Sequence, residues 1–364
     1  MDNLTHTLVA SAISQTGFNR KTRFATVTLI AAANLPDLDV IAWTGGTANY
    51  LKYHRGITHS ILGVMMIGLL AGAAAYWMGR QAAPKKSAPP VHLRWLLLGG
   101  LIAAASHLLL DFTNAYGVRP FLPFSGRWYA WDIMFILDPV LLFLLVVGLG
   151  LPALLRLISE EVGARKPAYR AGAIFALSAM ALLWGLRDFA HRRVLAMLDS
   201  HNYQQEIPRR IGAFPSPANP FAWTGVVETD SVFHVLPANA LDQDVDVQQT
   251  QVFRKPELSA PLEAALRTRT ATIFLDFARF PWSQTTETTS GYAVSLRDLR
   301  FISTMSGRRG FVVDVELDKD LKVRSESFRF TAAPRRDDSQ RPPEDEDPGN
   351  SPAGPAGDLP ENRR

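Results

Sequence analysis

The sequence contains no cysteine among its 364 residues. Disulfide bonds, thiolate metal sites and cysteine nucleophiles are therefore excluded, and any bound metal must be held by nitrogen and oxygen ligands. The N-terminal residues also lack the basic and apolar segments of a cleavable signal peptide. Any insertion into a membrane is therefore expected to depend on the protein's own helices.

Charged residues are scarce between residues 57 and 190, where apolar residues accumulate. Four runs in this part approach the roughly 20 residues that a helix needs to cross a bilayer. They are 57–79, 95–112, 134–155 and 170–188. A soluble helical bundle is the alternative, but the stretch Leu141–Leu151 has no polar side chain to turn toward water. We therefore predict a mostly α-helical, membrane-embedded domain over residues 1–195.

Two shorter helical patterns precede these runs, at residues 4–16 and 24–35. Both are short for a full crossing, so we expect a hairpin of short or partly inserted helices around the turn at Gly17–Arg23. The predicted membrane domain thus has about four spanning helices plus a short N-terminal helical hairpin.

The chain after residue 200 has the alternating pattern of a soluble β-rich domain, which we place at residues 200–331. Strands are predicted at Thr270–Phe277, Tyr292–Leu296, Gly310–Leu317 and Arg324–Phe330. We expect an antiparallel sheet of roughly five to seven strands, with Trp223 and Trp282 packed against it. Residues 332–364 hold few apolar side chains and are rich in Pro, Asp, Glu, Arg and Gly, which predicts a disordered tail.

Positive charge is distributed unevenly around the predicted spans. The segments 17–23, 80–94 and 156–170 carry three, four and four Lys or Arg residues, whereas 36–56 and 112–133 carry two each. Because basic loops stay in the cytoplasm, this pattern predicts a multi-pass protein of the inner (plasma) membrane whose C-terminal domain is extracytoplasmic. Basic loops also explain the net charge of +4, so no nucleic-acid partner is expected.

Histidines and aspartates stand out against this apolar background. The candidates for a site are His6, Asp37, Asp39, His54, His59, His107, Asp111, Asp132 and Asp138. In the predicted topology every one of them lies at the same membrane face. Ionisable groups in or beside membrane spans are costly and indicate a functional site. Polar residues with only structural roles would not be expected to collect at one face.

The spacing of these residues is typical of a metal site. His107 and Asp111 stand at i and i+4 of one helix, so both side chains can bind the same ion. His54 and His59 are five positions apart, and Gly56 between them allows the chain to turn so that both imidazoles point inward. Nitrogen and oxygen ligands without sulfur suit a divalent ion such as zinc, and also manganese or iron.

Several candidates also have a purely structural interpretation. His107 is equally expected as a hydrogen-bonded residue of a helical bundle, and His6 as a surface residue. Asp37, Asp39 or Asp138 fits a helix cap. The set as a whole is explained less easily in this way, because its members share one membrane face.

Three motifs carry a resemblance to a known family. P-D-L-D ends at Asp39, H-R-G-I-T-H-S runs from His54 to Ser60, and S-H-L-L-L-D begins at Ser106. In this order and spacing they resemble the YdjM-like family of membrane-bound, metal-dependent hydrolases, over about residues 1–195. The resemblance implies a membrane-embedded metal centre with hydrolase activity, and an extracytoplasmic C-terminal part as in longer members.

A more distant resemblance links the chain to zinc-dependent phospholipases C and fungal single-strand nucleases. Their order of ligands is matched here by His6, Asp37, His54 or His59, and His107 with Asp111. The second H-x-x-x-E/D element of those enzymes is missing from this sequence. The resemblance therefore implies one or two divalent ions, zinc in particular, rather than a cluster of three.

Metal-assisted hydrolysis is the expected reaction. A bound divalent ion lowers the pKa of its water toward neutrality, and Asp37 or Asp39 is the candidate base. Arg55 and Arg119 are candidates for holding an anionic group such as phosphate, although Arg55 is equally able to reach the lipid headgroups. A site at the membrane face predicts membrane lipids as neighbours and a small-molecule or lipid-type substrate.

Two other functions compete with hydrolysis. A non-catalytic protein with a structural metal, serving the cell envelope or a stress response, would use every ligand position of its ion. The candidate ligands outnumber those that one structural zinc needs, which favours catalysis. A transporter would be expected to show inverted repeats or broken central spans, and the sequence shows neither.

Overall fold

The computed structural model describes residues 1–83, 88–161, 169–203, 206–302 and 310–329. The predicted disordered tail, 332–364, lies outside the described residues. The helices of the described part are α1 (Asn3–Ile13), α2 (Asn19–Lys21), α3 (Ala25–Asn34), α4 (Thr47–Tyr53), α5 (Ile61–Gln81), α6 (Leu93–Phe112), α7 (Pro139–Glu161), α8 (Tyr169–Ser200), α9 (Ala260–Leu266) and α10 (Arg269–Phe277). A π-helical segment, Ser14–Phe18, extends α1, and a 3-10 segment, Leu35–Gly45, extends α3.

The strands of the described part all follow α8. They are β1 (Arg210–Pro215), β2 (Ala222–Glu228), β3 (Val232–Asn239), β4 (Gln251–Arg254), β5 (Pro281–Thr288), β6 (Gly291–Asp298), β7 (Val312–Asp318) and β8 (Val323–Arg329). They form two antiparallel four-stranded sheets, β1 to β4 and β5 to β8, each with its strands in chain order. The predicted architecture of a membrane-type helical bundle followed by a β-rich domain is confirmed. The single sheet that was expected is instead two sheets.

Four helices of the described part are long and apolar enough to cross a membrane, judged by length and composition. They are Ala25–Gly45, Ile61–Gln81, Leu93–Phe112 and Tyr169–Ser200. The last three correspond to predicted runs. The predicted run 134–155 corresponds to a shorter apolar stretch, Pro139–Pro152, in α7.

Two helix boundaries differ from the prediction, each for a local reason. The segment 24–35 is longer than expected, because α3 continues through the 3-10 turns to Gly45. Pro36 stands at the start of those turns, where its missing N–H interrupts little. The run predicted from residue 134 begins only at Pro139, because Asp138 accepts a hydrogen bond from a backbone N–H of the first turn of α7.

Small residues allow the apolar helices to pack closely. A Cβ at Gly68 of α5 would lie 2.7 Å from the carbonyl oxygen of Gly100 of α6. Ala10, Ala32 and Ala103 bring α1, α3 and α6 together in one buried cluster. In a membrane, such close backbone contact holds helices together where the hydrophobic effect does not. This packing places the end of α3 beside the end of α6, the two ends that carry the aspartates of the predicted site.

The strand predicted at Thr270–Phe277 is wrong, because this segment is helix α10. β-branched and aromatic residues favour a strand by propensity, but the buried side chains recur at helical spacing and pack against the sheet β5–β8. The Thr268 hydroxyl also caps the helix by accepting from the Ala271 N–H. The other predicted strands, Tyr292–Leu296, Gly310–Leu317 and Arg324–Phe330, correspond to β6, β7 and β8.

Helix α8 continues from the apolar bundle into the C-terminal part. Val194 and Leu198 near its end pack against Trp223, which is 1% exposed and lies in the first sheet. Trp282 packs beside the buried cluster between the two sheets. Both tryptophans thus pack as predicted. Because α8 ends at Ser200, the helix runs through the predicted boundary between the two domains.

The C-terminal domain contacts the bundle at the loop between α6 and α7, residues 113–138. Arg279 Nη2 donates to Asp132 Oδ1 at 2.5 Å. The rings of Tyr116 and Phe277 are 4.6 Å apart and share one buried cluster. This loop is therefore held between the membrane-type helices and the β-rich domain.

Candidate metal centre

The ends of three helical elements bring four predicted ligands together. Asp37 lies in the 3-10 segment after α3, His59 in the turn before α5, and His107 and Asp111 in the last turns of α6. One ligand atom from each of these residues lies within 4.8 Å of the others. His59, His107 and Asp111 are fully buried, and Asp37 is partly exposed. We call these four residues the metal cluster.

Four atoms that carry lone pairs face one another in the metal cluster. His59 Nε2 and His107 Nε2 are 3.0 Å apart. His59 Nε2 lies 3.3 Å from Asp37 Oδ1 and 3.3 Å from Asp111 Oδ2. His107 Nε2 lies 3.7 Å and 3.6 Å from the same two oxygens. Asp111 Oδ2 is buried and has no hydrogen-bond partner.

Hydrogen bonds on the opposite nitrogens orient both imidazoles. His107 Nδ1 donates to the Ala33 carbonyl oxygen at 2.7 Å. His59 Nδ1 lies 3.0 Å from the Thr58 hydroxyl, its hydrogen-bond partner, and 3.1 Å from Asp39 Oδ2. With its proton on Nδ1, each ring keeps the Nε2 lone pair for the centre of the cluster. Histidines that bind metals are commonly oriented in this way by a carbonyl or a carboxylate.

The chemistry of these donors fits a divalent metal ion. Lone pairs that face one another repel, and a buried carboxylate oxygen without a partner is costly. A cation among them removes both penalties. Two nitrogen and two oxygen ligands are a set found in tetrahedral zinc sites, and ligands without sulfur also suit manganese or iron.

Asp39 supports the cluster from outside. Its Oδ1 accepts from His54 Nδ1 at 2.7 Å. Its Oδ2 accepts from the Arg55 backbone N–H at 2.9 Å and from the Thr58 hydroxyl at 2.8 Å, in addition to its contact with His59. Both carboxylate oxygens are therefore engaged by the turn that carries the predicted histidines.

His54 joins Asp37 and Asp39 in a second group whose ligand atoms also lie within 4.8 Å of one another. Burial lowers the pKa of His54, and the hydrogen bond with Asp39 opposes this shift only in part. The imidazole is therefore neutral at pH 7 and stacks on Tyr50 at 4.5 Å. This second group shares Asp37 with the metal cluster.

The turn between His54 and His59 adopts an unusual backbone conformation. Arg55 has a φ of 54°, a region that side-chain-bearing residues seldom occupy and that often marks functional sites. Gly56 follows, and a Cβ there would lie 2.5 Å from the Tyr53 carbonyl oxygen. Gly56 is therefore needed for the close backbone approach in this turn.

Arg55 links the metal cluster to the loop after α6. Its Nη2 donates to Asp111 Oδ1 at 3.0 Å, and its Nη1 donates to Asn114 Oδ1 at 3.0 Å. The guanidinium lies over the Tyr116 ring at 4.7 Å. Arg55 is 4% exposed, so it points into the site and does not reach outward to lipid headgroups.

His6 lies against the same cluster from α1. Its ring stacks on that of His107 with centroids 3.9 Å apart, and its Nε2 lies 3.6 Å from Asp111 Oδ1. Both ring nitrogens are buried without a hydrogen-bond partner. The Met1 amino group contacts the same aspartate oxygen. The N-terminal helix thus brings a further ligand candidate to the predicted place.

Two of the sequence candidates have other partners. Asp132 pairs with Arg279 of the C-terminal domain. Asp138 accepts from the Leu141 N–H at 2.9 Å and from Arg187 Nη2 at 2.6 Å. Asp138 thus takes the structural role of a helix cap.

Sequence reasoning missed three contributors to the site. Asn114 is fully buried next to Arg55, and its signal was a polar residue just after an apolar span. Thr58 lies within the H-R-G-I-T-H-S motif, and its hydroxyl contacts both Asp39 and His59. The Ala33 carbonyl has no sequence signal, because any residue supplies one.

Comparison with known proteins agrees with the motifs. The sequence profile described as "YdjM inner membrane protein" matches residues 1–193. The chain belongs to this family. The match covers more than half of the chain and includes the whole metal cluster. The YdjM resemblance seen in the sequence is thus confirmed, and together with the four apolar helices it identifies a membrane protein.

Two further similarities were found. A profile described as "YfhP C-terminal alpha/beta plait domain" matches residues 261–335. The chain is 33% identical over 113 residues to "Uncharacterized protein YfhP" of Bacillus subtilis (strain 168). That similarity covers 31% of this chain and 32% of the relative, so the chain spans about a third of the length of the curated relative it matches. No solved structure matches the chain.

Proposed function

We propose that the YdjM-family chain is a membrane-bound hydrolase that uses a divalent ion, zinc in particular, held by the metal cluster. The supporting observation is the set of buried lone pairs at the helix ends. His59 Nε2 and His107 Nε2 face each other at 3.0 Å, and Asp111 Oδ2 has no partner. Buried groups of this kind are stable when a cation lies among them.

Different residues of the site are assigned different roles in hydrolysis. A bound divalent ion supplies a water of lowered pKa and polarises the scissile group. The Asp37 side chain is 14% exposed, whereas that of Asp111 is 0% exposed. We therefore assign Asp37 as the base that accepts a proton from the attacking water, at the oxygen that does not face the histidines. Asp39 has both oxygens in hydrogen bonds and is a positioning residue.

The site is proposed to open on the extracytoplasmic side. It lies at the end of the bundle that contacts the C-terminal domain. The opposite end carries the segment 17–23 and, beside it, the described residues 80–83 and 88–94; the Arg23 N–H donates to the Pro90 carbonyl there. Basic loops favour the cytoplasm, so the C-terminal domain is expected outside. Protease added to intact spheroplasts should cleave this domain. If the domain is protected in intact spheroplasts, the proposed orientation is wrong.

Exposed apolar side chains surround the approach to the site. Leu38 and Ile41, beside Asp37, are 63% and 72% exposed, and Trp43 is 48% exposed. Phe124 in the loop after α6 is 86% exposed. Aromatic and apolar groups of this kind fit the boundary between lipid headgroups and acyl chains. A lipid-type substrate that reaches the site from the membrane is therefore included in the proposal.

A structural metal site is the second candidate function. The four residues of the metal cluster suffice for a closed tetrahedral ion, as in structural zinc sites. The presence of His6, Asp39 and His54 beside the cluster favours the hydrolase, because a structural ion has no use for further ligand candidates. Activity measurements on metal-loaded protein separate the two.

Metal analysis of full-length protein in detergent tests the centre. His107→Ala and Asp111→Ala each remove a buried ligand and should lose the bound ion. His92→Ala is the matched control, because His92 caps the start of the same helix and is exposed. Unchanged metal content in both site variants would refute the centre. Full metal content without hydrolysis of any phosphoester, carboxylic ester or lipid would favour the structural role.

A further inference from the structure

We infer that Arg55, Asn114, Tyr116 and Arg119 form an oxyanion subsite that holds the phosphoryl group of a phosphoester substrate beside the metal cluster. This inference rests on the proposed hydrolase function and gives its substrate class. The residues come from the turn before α5 and the loop after α6. They are 4%, 0%, 6% and 8% exposed in that order, so all four are more than nine-tenths buried.

Each residue of the subsite has a buried polar atom without a hydrogen-bond partner. These atoms are Arg55 Nε, Asn114 Nδ2, Tyr116 Oη and Arg119 Nε. Burial raises the pKa of Tyr116, so its hydroxyl keeps its proton and is able to donate. An unpaired buried donor is costly. Four such atoms on side chains that form one connected group favour an acceptor supplied by a ligand.

The side chains of the subsite form a continuous group. Arg55 and the Tyr116 backbone N–H both donate to Asn114 Oδ1, at 3.0 Å and 2.9 Å. The Arg119 guanidinium lies over the Trp128 ring at 4.5 Å, and that ring is 6.0 Å from the Tyr116 ring. Arg119 is further fixed by donating from Nη2 to a backbone carbonyl at 2.5 Å. The donors are therefore held in place before any ligand arrives.

The subsite adjoins the metal cluster, and with a divalent ion bound the two together would carry excess positive charge. Arg55 Nη2 lies 3.0 Å from Asp111 Oδ1, while Asp111 Oδ2 faces the histidines of the cluster. A divalent ion and two guanidiniums carry more positive charge than the three nearby carboxylates of Asp37, Asp39 and Asp111 carry negative charge. Asp276 approaches Arg119 at 3.9 Å, but its side chain is 61% exposed and well solvated. An anionic ligand would balance the charge.

The variety of donors favours a phosphoryl group over a carboxylate. Guanidinium groups bind phosphate oxygens through paired hydrogen bonds. An amide and a phenol add donors of different shape. A phosphate monoester presents three acceptor oxygens, more than the two of a carboxylate, so it satisfies a larger share of these atoms.

The reaction at this subsite is hydrolysis of a phosphorus–oxygen bond. The oxygen of water forms a bond to phosphorus, and a water proton passes to Asp37. The bond between phosphorus and the alcohol oxygen breaks, and the alcohol leaves with that electron pair and takes up a proton. The subsite donors stabilise the negative charge on the non-bridging oxygens in the transition state.

The probe for this subsite is inorganic phosphate. Its binding to Mn²⁺-loaded, full-length protein in detergent is measured through the relaxation of the ³¹P signal, which a nearby manganese ion enhances. We expect Arg119→Gln and Asn114→Ala to weaken phosphate binding at least tenfold while metal content stays unchanged. Arg119→Lys, which keeps the charge, should lie between wild type and Arg119→Gln. Arg127→Gln is the control, because Arg127 is an exposed arginine of the same loop.

Separate outcomes test the subsite and the metal centre. Phosphate binding of wild-type strength in both Arg119 variants and in Asn114→Ala would overturn the subsite. So would metal-loaded wild type that hydrolyses carboxylic esters but does not bind phosphate. Wild-type protein that binds no metal would instead overturn the proposed hydrolase. Phosphate binding is then measured by equilibrium dialysis with ³²P-phosphate, and binding that is lost in Arg119→Gln would leave the subsite standing.

Mixed micelles distinguish the source of the phosphoryl group. Phosphatidic acid in detergent micelles is added to the protein with bound inorganic phosphate, and the displacement of phosphate is measured. Micelles that contain phosphatidylcholine instead serve as the comparison. Competition by phosphatidic acid that is lost in Arg119→Gln supports a lipid-borne phosphoester. Competition by soluble p-nitrophenyl phosphate alone supports a soluble one. If competition is equal in Arg119→Gln and wild type, the subsite is overturned for lipid-borne and soluble phosphoesters alike.

Discussion

Replacing Asp39 by asparagine should weaken metal binding without abolishing it. Asp39 accepts hydrogen bonds on both oxygens, from His54 on Oδ1 and from Thr58 on Oδ2, and Oδ2 also contacts His59 Nδ1. Asparagine keeps one acceptor oxygen but has an NH₂ group in place of the other. That NH₂ group would face the hydrogen-bond donors that now point at the carboxylate. His59 Nδ1 then loses the carboxylate beside it, and the Thr58 hydroxyl that is hydrogen-bonded to Nδ1 loses the acceptor that holds it in place.

The size of the effect follows from the position of Asp39 behind a ligand. Loss of a group that orients a metal ligand typically costs about 10–100-fold in affinity, or roughly 1.4–2.7 kcal/mol. Asp111→Asn alters a residue of the metal cluster itself and should cost more. The readout is competition for zinc between the protein in detergent and a fluorescent chelator.

The control for this series is Asp230→Asn, which removes a carboxylate from an exposed ion pair with Arg209. It should bind zinc as tightly as wild type. If Asp39→Asn lost as much affinity as Asp111→Asn, Asp39 would be a direct ligand. If it lost none, the hydrogen bonds of Asp39 would have no part in holding His59, and its assignment as a positioning residue would be wrong.

Two further predictions concern stability. Asp138→Asn leaves the guanidinium of Arg187 buried without its counter-charge, because both side chains are 0% exposed. The free energy of unfolding, measured in detergent, should fall by about 3–5 kcal/mol. A change near zero would contradict the pairing. Burial raises the pKa of Glu228, but Lys255 and Arg210 lower it more, so its folded-state pKa lies below the ordinary value. Its contribution to stability is present above the unfolded-state pKa and is lost as the pH falls through the folded-state pKa. Glu228→Gln should therefore make thermal stability less sensitive to acid below about pH 4.5, and an unchanged profile would contradict this.

Much of the membrane part was predictable, because its signals are long and local. An apolar run near spanning length leaves few alternatives to a membrane helix. Because successive spans cross in alternating directions, their order predicts which helix ends lie at the same membrane face. His107 and Asp111 share one helix face by their spacing alone. The convergence of His6, Asp37 and His59 on that face follows from counting the spans between them.

The finer geometry was not predictable, because it depends on contacts between distant segments. Asp37 and Asp39 look equivalent in the P-D-L-D motif, yet one faces the histidines of the cluster and the other holds the turn behind them. The N–H of Arg55, in a turn where this residue has a positive φ, donates to Asp39 Oδ2, and no pattern in the sequence predicts this contact. Helix α10 was missed because its composition favours a strand and only its packing reveals the helical period.

The two profile matches cover different parts of the molecule. The YdjM match, 1–193, contains every residue of the metal cluster and of the oxyanion subsite. Within the described part of the chain, no candidate metal ligand lies beyond Asp111. The plait match, 261–335, contributes Arg300, which donates to the Ala115 carbonyl at 2.7 Å, and an aromatic contact to Tyr116. The C-terminal domain therefore contacts the loop after α6, which carries Asn114 and Tyr116, and within the described residues it contributes no member of the metal cluster.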